Sequence, residues 1–73
     1  MEEEMLKYQI ETQEIYLGDI LGNINKFGGL IESMEDLESA SKLIKFSIPI
    51  YGLYNFEKWL KSIPNIQTKV SKL

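Results

Sequence analysis

A chain of 73 residues with a net charge of −3 holds one domain at most, and its thin core invites a supplement from disulfides, metal or a second subunit. Cysteine and histidine are both absent, which removes disulfide staples, thiolate and imidazole metal ligands, and the commonest catalytic nucleophiles and bases. All eight basic residues are lysine; without arginine the chain lacks the main side chain for base and bidentate phosphate recognition, so no direct nucleic-acid binding is expected.

Charge is unevenly spread. Residues 1–38 hold ten acidic and two basic side chains, a balance of −8, and residues 39–73 hold six basic and one acidic, a balance of +5. Such a chain can fold its basic half onto its acidic half or pair with a copy of itself. The opening residues "MEEEML" are acidic, unlike an export signal, and the expected location is cytoplasmic.

In chain order, the first predicted element is a helix over about 3–27. Leu6, Ile10, Gln13, Leu17, Ile20, Ile24 and Phe27 step by four and three residues, an a/d seam broken only by Gln13. Gln13 reads either as a polar pin of register within a self-pairing seam or as an exposed residue at its margin. Gly18 and Gly22 lie inside this helix, where each costs roughly 1 kcal/mol against alanine; close approach of a neighbouring helix is one reason to keep them, a weakened or kinked helix the other. Gly28-Gly29 ends the segment, since glycine takes the left-handed conformation of a helix C-cap.

A second helix is expected over about 31–46. Leu30, Met34, Leu37, Ala40 and Ile44 share one face, with Glu32, Glu35, Asp36 and Glu38 mostly on the other. Pro49 interrupts the pattern and starts a third helix over about 49–63, on which Leu53, Phe56, Leu60 and Ile63 form a stripe. Tyr51, Tyr54 and Trp59 widen its apolar arc. Ile66, Val70 and Leu73 fit a short fourth helix over 65–72. "FSIPIYGLY" alternates loosely, but Pro49 and Gly52 argue against a central strand.

The expected fold is therefore all-α: a single domain of three to four helices, an antiparallel helical hairpin or bundle completed by homodimerisation. The expected function is non-enzymatic, a regulatory module self-associating through Leu6, Ile10, Gln13, Leu17, Tyr51, Tyr54, Phe56 and Trp59, with aromatic anchors carrying the interface. Glu11 and Glu14 read as solvated charge rather than a catalytic pair. "FGGL" lacks the spacing and lysine of a phosphate loop, so no cofactor or metal is expected.

Two alternatives accompany that reading. One is a small acidic inhibitor of the phage or mobile-element type, presenting Glu32, Glu35, Asp36 and Glu38 to a basic, nucleic-acid-binding protein. The other is a peripheral membrane-surface protein that seats Tyr51, Tyr54 and Trp59 at the lipid interface beside Lys58 and Lys61. A membrane span is excluded, because Leu43 to Phe56 is only fourteen residues and is interrupted by Lys45, Ser47, Pro49 and Asn55.

Overall fold

The computed structural model describes residues 4–63 and 68–73. Its order is β1 Met5–Gln13, a 3-10 turn Glu14–Tyr16, α1 Leu17–Lys26, β2 Leu30–Leu37, β3 Ser41–Pro49, α2 Ile50–Lys61 and β4 Thr68–Lys72. The four strands form one sheet in the order β2-β3-β1-β4, and every neighbouring pair is antiparallel. β1 and β2 therefore run parallel with β3 inserted between them, and α1 crosses that gap. α2 crosses β1 in the same way to reach β4. This is the split βαβ arrangement, used twice.

The all-α expectation is thus wrong: the chain is a mixed α/β domain with a four-stranded sheet. Its physical cause is a coincidence of periods. A step of four residues returns to the same face in both a helix and a strand, whereas a step of three does so only in a helix. Leu6 and Ile10 are four apart on one face of β1. Gln13, three further on, falls on the opposite face at the strand's end, and only Leu17, Ile20 and Ile24 belong to a helix. The polar break in the apparent seam is the strand–helix junction. The helix expected over 3–27 is consequently a strand, a turn and a ten-residue helix.

A β-bulge accounts for the second misreading. Ile31 pairs with Phe46 but Ser33 with Lys45, leaving Glu32 as an extra residue. The bulge stretches the alternation of β2, so that Leu30, Met34 and Leu37 mimic helical spacing. The segment expected as one helix over 31–46 is instead most of a hairpin, with β2 and β3 joined through Glu38, Ser39 and Ala40. Pro49 does not forbid the strand, because it is the last residue of β3 and also the extended N-cap of α2. The helix expected over 49–63 runs from Ile50 to Lys61. Of the fourth helix expected over 65–72, residues 65–67 lie outside the described residues and Thr68–Lys72 is a strand.

One face of the sheet carries the core. Ile10 of β1 and Ile44, Phe46 and Ile48 of β3 meet Ile20 and Ile24 of α1 and Leu53, Phe56 and Leu60 of α2, so both helices cover the same face. Phe46 meets Phe56 edge to face at 5.7 Å, and Phe56 lies 5.9 Å from Trp59. α1 ends as glycine permits. Gly28 takes φ +84°, its N–H donates to the Asn25 carbonyl at 3.1 Å, and the Gly29 N–H donates to Ile24 at 2.8 Å. Those two bonds make a Schellman cap.

Candidate interaction surfaces

The helix-free face of the sheet is mixed in polarity and balanced in charge. By alternation it presents Lys7, Gln9 and Glu11 from β1, Leu43, Lys45 and Ser47 from β3, and Leu30, Ser33, Glu35 and Leu37 from the edge strand. One row crosses the whole sheet as Glu35, Leu43, Glu11 and Lys69. Ser47 Oγ donates to Glu32 Oε2 at 2.7 Å, which fixes the bulged residue on this side. The aromatic rings at Tyr8, Phe46, Phe56 and Trp59 all sit toward the helices, so this face offers no stacking platform for bases.

The opposite layer is formed by the helices. On α2 the exposed side chains are Ile50, Tyr51, Tyr54, Asn55, Lys58 and Lys61, which share one arc. α1 contributes Asp19, Asn25 and Lys26, with Lys26 Nζ 5.7 Å from the Phe27 ring. Gly18 and Gly22 are exposed there, and a Cβ at either would meet nothing within 4 Å. Among the described residues no helix approaches them, so no intramolecular contact there explains two helix-interior glycines.

A third feature lies at one end of the sheet. Gln13, Glu14 and Ile15 face Ser39 and Ala40 across a groove of about 390 Å³. The Glu14 N–H donates to the Ala40 carbonyl at 2.9 Å and ties the two loops. Beside it the Lys42 ammonium pairs with Asp36 across the β2–β3 ladder. The hydrogen bond to Asp36 holds Lys42 above the ordinary lysine range, its burial opposes this, and the charges of Asp36 and Glu14 add to the rise.

The residues expected to form an interface are divided by the fold. Ile10 and Phe56 are fully buried, while Leu6, Leu17 and Trp59 are half-buried against the core. Gln13 ends β1, and its Oε1 is shut from solvent without a hydrogen-bond partner among the described residues. Tyr51 and Tyr54 alone among them are open, at 54% and 69% exposure. The heptad seam is therefore not a surface. Of the acidic set, Glu32 is held by Ser47 and Asp36 by Lys42 on the two opposite faces of β2, while Glu35 and Glu38 are exposed. They make no single plate. Glu11 and Glu14 lie on different elements, a strand and the 3-10 turn.

Sequence reasoning gives the groove residues Ile15 and Ser39 no role and places Ala40 only on the apolar face of an expected helix. Ser39 and Ala40 both take left-handed backbone, φ 62° and 57°, without the glycine or asparagine that signals such a turn.

The family model described as "Elongation factor G C-terminus" matches residues 1–65, almost nine-tenths of the chain. The match overturns the self-associating regulatory module, and both alternatives, acidic inhibitor and membrane-surface protein, fall with it. The geometry supplies the reasons: the seam is core, the acids point to two faces, and Trp59 packs on Phe56. Among the described residues no helix is long and apolar enough to cross a membrane.

Proposed function

This chain belongs to the elongation factor G C-terminus family, and on that premise we propose that it serves as the C-terminal domain of a translation factor, a non-catalytic element that docks on the translating ribosome in the cytoplasm. The observation that carries this reading is the family match over residues 1–65, which takes in both helices and three of the four strands.

The surface chemistry favours the helix layer as the docking side. The helices carry Lys26, Lys58 and Lys61 against Asp19 and Glu57, whereas the open sheet face balances Lys7, Lys45 and Lys69 with Glu11, Glu32 and Glu35. A polyanionic ribosome meets less repulsion on the helix side. Gly18 and Gly22 leave α1 bare enough for another molecule's backbone to come close.

Co-sedimentation tests the proposal. The purified chain is expected to pellet with ribosomes through a sucrose cushion, and to be released as salt rises. Absence from the pellet at low salt would contradict it.

A further inference from the structure

β2 forms one border of the sheet. Its residues from Leu30 to Asp36 are all exposed, and among the described residues no backbone hydrogen bond is made on its outer side. Open edges are usually kept short. The opposite border, β4, has five residues, whereas β2 has eight. The helices do not cover it. Ile31 and Met34 lie on the helix side, opposite Phe46 and Ile44, yet they are 37% and 49% exposed while those two β3 residues are fully buried. The core therefore runs out to this edge and stops at solvent. On the other face of the sheet Ser33 and Glu35 are exposed. The bulged residue, Glu32, is held by Ser47, which leaves Ser33–Leu37 as an uninterrupted run for pairing.

We propose that the outer edge of β2 accepts a strand from another protein, an extended segment that alternates apolar and basic side chains; this contact is separate from the docking of the helix layer. A row of unpaired peptide groups is matched by another extended backbone. The side chains of that added strand alternate between the two faces as those of β2 do. Apolar ones on the helix side continue the row of Ile31 and Met34 and bury both. Lysine or arginine on the other face meets Glu35. β3 already answers β2 in this way from inside the sheet. Ile44 and Phe46 stand opposite Met34 and Ile31, Lys45 lies between them, and Lys42 pairs with Asp36. A second copy of this chain fits less well. Two β2 strands side by side bring Glu32, Glu35 and Asp36 against their own kind. β4 is basic at Lys69 and Lys72, but its helix-side residues are Thr68, Val70 and Lys72, only one of them apolar.

The test is an NMR titration of the nitrogen-15-labelled chain, without ribosomes, with the capped peptide Thr-Lys-Val-Lys-Val-Lys-Thr. Saturable shifts and slowed amide exchange are expected along Leu30–Leu37. A peptide of the same composition without alternation, Thr-Lys-Lys-Val-Val-Lys-Thr, should bind at least roughly fivefold more weakly. Two further peptides carry N-methyl groups on the valines or on the lysines. The one whose methyls face β2 should lose roughly tenfold or more, because its ladder bonds cannot form. Glu35→Lys should weaken the lysine peptide by roughly fivefold and favour its glutamate counterpart, with the thermal midpoint confirming that the variant is folded. No shifts at millimolar peptide would overturn the assignment. So would shifts centred on the helices, undiminished binding of both N-methylated peptides, or tighter binding of the glutamate peptide by the parent chain. Concentration-dependent shifts at β2 and β4 of the chain alone would overturn it in favour of a second copy.

Discussion

The backbone carbonyl of Phe27, at the end of α1, lies directly over the Cα of Gly52 in the first turn of α2. A Cβ at Gly52 would collide with that carbonyl oxygen and would also come within 3.2 Å of Ile48 Cγ1. The two crossover helices therefore touch through a glycine, and the contact sets how closely α2 lies beside α1. Gly52→Ala gains helix propensity of about 1 kcal/mol but forces α2 away from a backbone that cannot yield. We expect a net loss of roughly 2–3 kcal/mol, read as a lowered urea midpoint with little change in slope. A midpoint equal to that of the parent chain would show that the helices do not meet there.

The glycines of α1 behave in the opposite sense. Gly18 and Gly22 face open space, so alanine at each should raise stability by about 0.5–1 kcal/mol. The doubly substituted chain should melt higher and yet pellet less well with ribosomes. A double variant that is both more stable and undiminished in pelleting would remove the glycine face from the docking surface.

Thr12 is 2% exposed on the helix side of β1, and its Oγ1 has no hydrogen-bond partner among the described residues. Its neighbours in the ladder are Lys42 and Thr68. A buried hydroxyl without a partner costs roughly 1–3 kcal/mol. Thr12→Val keeps the shape and removes the hydroxyl, so it should stabilise the domain by about 1 kcal/mol in chemical denaturation. Loss of stability would mean that the hydroxyl is bonded in solution.

The aromatic residues of α2 separate into two kinds. Trp59 is half-buried against Phe56, whereas Tyr51 and Tyr54 are exposed. Trp59→Ala should cost roughly 2–4 kcal/mol, near the lower part of the range for truncating a fully buried aromatic. Tyr54→Ala should stay within about 0.5 kcal/mol. Equal costs at the two positions would contradict the orientation of the helix.

Two helix boundaries were legible in the residues, but neither the strands nor their pairing. Gly28-Gly29 announces its helix end because a Schellman cap requires left-handed backbone at Gly28. The proline-led third helix was equally readable, since Pro49 supplies the extended N-cap residue and Ile50 begins the helix. β1 was not. Its helix-facing set is Leu6, Tyr8, Ile10 and Thr12, and polar Thr12 at the end hides the alternation. β3 carries the clearest strand signal, Ile44, Phe46 and Ile48, but Pro49 and Gly52 follow it and mask that signal. Both residues act after the strand, in the cap and at the Phe27 contact. β2 lost its alternation to a bulge at Glu32, which only the register with β3 reveals. The groove depends on two left-handed residues of ordinary type, Ser39 and Ala40, and no local pattern marks them.

The most direct measurement is competition on the ribosome. Labelled chain bound to ribosomes is challenged with unlabelled, full-length elongation factor G, and the bound fraction is followed through a sucrose cushion. If the chain docks as a C-terminal domain of that family, the factor should displace it fully and with a saturable dependence on factor concentration. Chain that remains bound while the factor saturates the ribosome would contradict the account.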